Sequence, residues 1–116
     1  MITAVHSLIY SDDPEATRTF LRDVLAWPNV DAHGGWLIFR SGPSETAVHP
    51  TMDGPRHHEI TLMCDDLDTT VAELAAKGAT FGERHEERWG LTIRLHVPGA
   101  DDMLVYEPKH PTAFDL

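Results

Sequence analysis

Apolar and polar positions along the 116-residue chain fall into two similar series. The segments Val5–Tyr10 and His58–Cys64 both read as strands, the second with apolar Ile60, Leu62 and Cys64 at every other position. Each is followed by an aspartate pair, Asp12-Asp13 or Asp65-Asp66, and then by apolar residues at helical spacing. The first stripe is Ala16, Phe20, Leu21, Val24 and Leu25; the second is Leu67, Val71, Leu74 and Ala75. Asp13 with Pro14 behind it, and Asp66, supply the N-caps. Trp27-Pro28 ends the first helix, and Lys77-Gly78 ends the second with a glycine suited to the left-handed position.

A shift of about 53 residues superimposes the two series, laying Thr17 on Thr70 and Leu21 on Leu74. The remainders correspond as well. Gly35-Trp36-Leu37-Ile38-Phe39 matches Gly90-Leu91-Thr92-Ile93-Arg94, and Ala47-Val48-His49-Pro50 matches Val105-Tyr106-Glu107-Pro108. A further strand after each helix is placed near Val30 and near Ala79 to Glu83. The chain thus reads as one α+β domain of two βαβββ modules, 1–53 and 54–116, joined at the turn Met52-Asp53-Gly54-Pro55. That turn is too short to link independent domains. Glu83-Arg84-His85-Glu86-Glu87-Arg88 reads as a solvated, charged turn.

Strand side chains switch face at every residue, so the apolar sets mark the helix-covered face. Ile60, Leu62 and Cys64, and likewise Leu91, Ile93, Leu95 and Val97, are assigned to it. That leaves Glu59, Thr61 and Met63, and Thr92, Arg94 and His96, for the opposite, cavity-facing side. His6, Leu8 and Tyr10 join them from the first strand, Ala47 and His49 from the fourth, with Glu45 on the same parity, and Val105 and Glu107 from the last. Tyr10, Leu37, Phe39 and Met63 suit an apolar pocket or plain core packing, and Trp36 and Trp89 suit core or interface anchors. The shift lays Glu59 on His6; laying His58 there instead loses the aspartate match.

Nine basic against nineteen acidic residues give a formal charge of −10, which repels phosphate backbones and anionic lipid, so neither nucleic acid nor membrane is expected as a partner. One cysteine, Cys64, excludes an internal disulfide and suits a reducing, cytoplasmic setting. No apolar run is long enough to span a bilayer, and the first residues do not read as a signal peptide. No glycine-rich phosphate loop, HExxH or CxxC is present.

His6 to Pro14, Glu59 to Leu67 with its helix to Gly78, Arg88-Trp89-Gly90, and Leu104 to Pro108 together resemble the vicinal-oxygen-chelate superfamily. That superfamily takes in glyoxalase I, bleomycin-resistance proteins, fosfomycin-resistance proteins and extradiol dioxygenases. The resemblance implies a curled sheet around one small-molecule cavity, helices outside, and a homodimer. It implies a ligand set at the positions the duplication matches, His6, His49, Glu59 and Glu107. Such a set would hold a single divalent ion, Ni, Zn, Fe or Mn, to polarise substrate oxygens, with a free Glu59 as general base. The sequence departs from the family pattern: Glu59 stands where the family has histidine, His49 where glyoxalases have glutamate, and Glu107 lies late relative to Pro98-Gly99. A His6–Glu59 ion pair stays open as an alternative to a metal, and Arg94 as a partner either of Glu59 or of a substrate carboxylate or phosphate.

Thr61, Met63, Arg94 and His96, with Tyr10, Leu37 and Phe39, are the expected substrate contacts. Three functions are compatible with these residues. The leading one is a glyoxalase- or dioxygenase-like small-molecule enzyme, with a divalent metal if the ligand set is intact. Another is a non-catalytic binder of the bleomycin-resistance type, whose acidic cavity would draw in a cation. The last is a structural or regulatory module.

Overall fold

The computed structural model describes residues 7–45, 47–48 and 50–114. The chain runs through helix α1 (Pro14–Asp23), strands β1 (Asn29–Asp31) and β2 (Leu37–Phe39), then β3 (Thr61–Met63), helix α2 (Leu67–Ala76), β4 (Phe81–Glu87), β5 (Gly90–Leu95) and β6 (Met103–Pro108). The order after residue 60 is the expected βαβββ unit. Its sheet is ordered β3-β6-β5-β4, with β3 parallel to β6 and the other neighbours antiparallel.

Both helices begin as their sequences dictate. The Asp13 carboxylate accepts the Ala16 N–H at 3.1 Å, and Asp66 accepts that of Thr69 at 2.9 Å. The Thr69 N–H holds the Asp66 carboxyl below the usual carboxylate range. The twin threonines repeat one contact: Thr17 and Thr70 each donate to the backbone oxygen of the capping aspartate, Asp13 or Asp66. Glycine takes the left-handed position after α2, at Gly78 with φ of 94°, whereas α1 uses Ala26 at φ of 57°.

The core lies between the helices and one face of the four-stranded sheet. Phe20 and Leu21 of α1 and Leu67 of α2 pack with Ile93, Leu95, Val97, Met103 and Val105. Leu67, Leu95 and Val105 are fully buried, each contributing about 1.5–3 kcal/mol relative to exposure. Cys64 packs against this cluster, as its parity predicts, and burial pushes its thiol pKa up.

α1 is tied to module two by the β5–β6 turn. Thr17 Oγ1 donates to the Pro98 carbonyl at 2.6 Å, and the Asp12 N–H donates to that of Gly99 at 2.7 Å. Gly99 has φ of 80°, and a Cβ there would lie 2.7 Å from the Asp13 carbonyl oxygen. No other residue fits this close approach without movement.

Module one is less complete than its twin. Residues 7–10 form no strand, leaving Leu8 59% and Tyr10 89% exposed. Ala47 and Val48 are likewise outside any strand. The physical difference is local: Pro43 and Pro50 bracket that segment and cannot donate to a ladder, whereas β6 has no proline before its last residue. Among the described residues of this module, only β1 and β2 pair, Val30 opposite Ile38, as a separate antiparallel ribbon. A second correction concerns the charged run 83–88, which is no turn. Most of it belongs to β4, an edge strand exposed from Gly82 onward, where charges discourage pairing with another chain.

Candidate functional site

The face of the module-two sheet away from the helices is the candidate site. Register fixes its floor. Leu104 lies between Thr61 and Arg94, and Tyr106 lies between Met63 and Thr92. Thr61, Met63 and Arg94 therefore share the helix-free face expected of them. Thr92, 3% exposed, is the covered centre, and Arg94 is exposed with no ion pair among the described residues. His96 follows the strand, with its Nδ1 2.8 Å from Asp102.

The proposed ligand set does not converge among the described residues. His6 and His49 lie outside them. Glu107 and Val105, expected in the cavity, both face the opposite way. Val105 sits opposite Ile93 in the core, and Glu107, on the same parity, turns to the helix side. There its Oε1 accepts the Leu67 N–H at 2.9 Å, capping α2. A polar residue completing an apolar alternation signals a cap as readily as a cavity wall. Glu59 precedes β3, exposed, with Oε1 3.0 Å from His57 Nε2 rather than against Arg94. The Pro55 carbonyl, then Glu59, raise the His57 pKa. Glu107 on one face and Glu59 at an exposed edge do not fit one divalent ion. No group of three His, Cys, Asp or Glu side chains among the described residues is arranged to hold a metal.

Of the expected pocket residues in module one, Phe39 packs on the core and Leu37 is half-buried on the same side of β2. Tyr10 is exposed. A groove of about 780 Å³ between α1 and the ends of β4 and β5 is lined by Ala16, Phe20, Val24, Ala79 and Val97, and takes in His96 alone of the predicted contacts.

Sequence reasoning named Glu45 and Trp89 separately but not the cluster they form around Tyr106 on this face. Tyr106 stands edge-on to Trp89, ring centroids 5.4 Å apart at 77°. The His110 ring lies 5.9 Å away at 34°. The Tyr106 hydroxyl is 3.4 Å from both Glu45 Oε1 and His110 Nε2. Glu45 Oε2 accepts the Ala113 N–H at 2.7 Å. Burial, then the Glu45 charge, raises the Tyr106 pKa. The available signal was Tyr106 parity: once Val105 faces the helices, its neighbour must face away.

Among the described residues no helix is long and apolar enough to cross a membrane. No protein-family profile matches the chain, and no curated protein matches it. Solved structures do. The antibiotic-binding protein TnmS3 from a Streptomyces species superimposes with a TM-score of 0.67 at 19% identity, over 93% of this chain and 98% of that one. A lactoylglutathione lyase from Agrobacterium tumefaciens gives 0.64 at 18%, over 91% and 94%. A superfamily member from Sphaerobacter thermophilus gives 0.60 at 21%, over 91% and 98%. With its βαβββ sheet and flanking helices, the chain has the fold of the glyoxalase/bleomycin resistance protein/dioxygenase superfamily.

Proposed function

We propose that the protein is a non-catalytic small-molecule binder that captures its ligand on the helix-free face of the module-two sheet, within a homodimer. The observation that carries this reading is the Glu107 carboxylate, spent on the α2 N-terminus at 2.9 Å on the opposite face. Of the four positions proposed for a metal, the two that are described serve other partners. The face itself offers Met63, Leu104 and Tyr106 as apolar contact, with Thr61, Thr92 and Arg94 as orienting polar groups, the usual make-up of a ligand site. Likeness in fold to an antibiotic-binding protein agrees with this reading.

A second copy of the chain supplies the roof. The β1–β2 ribbon exposes Val30 at 65%, Trp36 at 56% and Ile38 at 36%, apolar area that a second sheet would cover.

The test joins sedimentation, metal analysis and turnover. A dimer without a stoichiometric divalent ion, stabilised thermally by members of an antibiotic panel, supports the binder. One equivalent of Ni, Zn, Fe or Mn, lost on His6→Ala, together with metal-dependent formation of lactoylglutathione, would replace it with the enzyme reading.

A further inference from the structure

Four residues from separate parts of the chain meet at one end of the sheet face: Glu45 from module one, Trp89 from the β4–β5 turn, Tyr106 from β6, and His110 just beyond it. We propose that this cluster recognises the alkylammonium group of the captured ligand, a proposal that rests on the binder reading above.

The carboxylate is the first argument. Glu45 is half-buried, and its described partners are the Tyr106 hydroxyl at 3.4 Å and the Ala113 N–H at 2.7 Å. Both are neutral donors, and no cation pairs with Glu45 among the described residues. A carboxylate accepts about four hydrogen bonds, so it retains acceptor capacity. Removing its charge partly from water without a counter-charge is unfavourable, and a ligand cation would offset that cost.

The rings are the second. Trp89 and Tyr106 meet edge to face at 5.4 Å, and Trp89 remains 43% exposed. Tryptophan is the best of the aromatic faces for a cation, and the attraction strengthens as the site is desolvated. The Tyr106 proton is held by burial and by the Glu45 charge, so the phenol stays neutral and can donate to the carboxylate. Aromatic faces and an uncompensated carboxylate share one complement, a bulky, weakly hydrated cation. A substituted ammonium meets that description.

Choline and its uncharged isostere 3,3-dimethylbutan-1-ol are the probes, titrated into the full chain and followed at the Trp89 indole N–H by NMR. Saturable shifts are expected with choline, about tenfold weaker with the isostere. Glu45→Gln should weaken choline by about fivefold and leave the isostere unchanged. Trp89→Phe, which keeps a ring in place and is followed instead at the Ala113 backbone amide that Glu45 accepts, should also weaken choline. Equal response to both probes, no shift at Trp89, or full choline affinity in Glu45→Gln would overturn the cation site. A divalent ion displacing choline from Glu45, Tyr106 and His110 would overturn it as well. If antibiotics still stabilise the protein when choline fails, the binder reading survives. If nothing binds and metal-dependent turnover appears, that reading has failed instead.

Discussion

The Glu107 carboxylate accepts the backbone N–H of Leu67 at 2.9 Å, joining the last strand to the first turn of α2. Leu67 is fully buried, so this donor has little access to water. The carboxylate also lies at the positive end of the helix. Glu107→Ala should therefore lower stability by about 1 kcal/mol, read by urea denaturation. Glu107→Gln keeps an acceptor and should retain most of it. An equal loss in both variants would show that charge, not the hydrogen bond, is what matters.

The packing of α1 onto module two depends on Gly99. A Cβ there meets the Asp13 carbonyl at 2.7 Å and the Asp13 Cβ at 2.9 Å, with φ at 80°. Gly99→Ala should cost about 2–4 kcal/mol, combining a left-handed backbone with displacement of the α1 cap. A melting temperature within error of the parent protein would refute this.

Ala26, two residues past the Val24 cap of α1, is left-handed with φ of 57°, a conformation that favours glycine. Ala26→Gly should stabilise the chain by about 1 kcal/mol in the same denaturation experiment, because the strain outweighs the added freedom of the unfolded chain.

Tyr106 should ionise above the usual value of 10.0, in the order of causes burial and then Glu45. Its folded pKa is raised, so the unfolded state releases this proton first. The stability contributed is complete below pH 10.0 and is lost as pH rises through the folded value. Phenolate absorbance in a Tyr10→Phe variant isolates this residue. Glu45→Gln should move the titration part of the way back.

The helix starts and the buried face of the sheet were legible in the sequence because their signals are local. Asp13 and Asp66 cap by reaching three residues along their own chain, and Ile93, Leu95 and Val97 declare a buried face by simple alternation. Thr61, Met63 and Arg94 followed from the same parity, and they share the face expected of them.

Parity gave no answer where both faces of a strand carry apolar residues. In β6, Leu104 and Tyr106 are as apolar as Met103 and Val105, so only pairing with β5 decided that Glu107 meets Leu67. The charged run 83–88 became a strand because β5 offered it an edge, which no pattern within those residues encodes. Glu45, Trp89, Tyr106 and His110 are separated by up to 65 positions, and only the packing of separate segments around Tyr106 brings them together. Local hydrogen bonding and side-chain alternation are properties of a stretch of sequence. Convergence of distant side chains is a property of the whole packing, and the candidate site lies there.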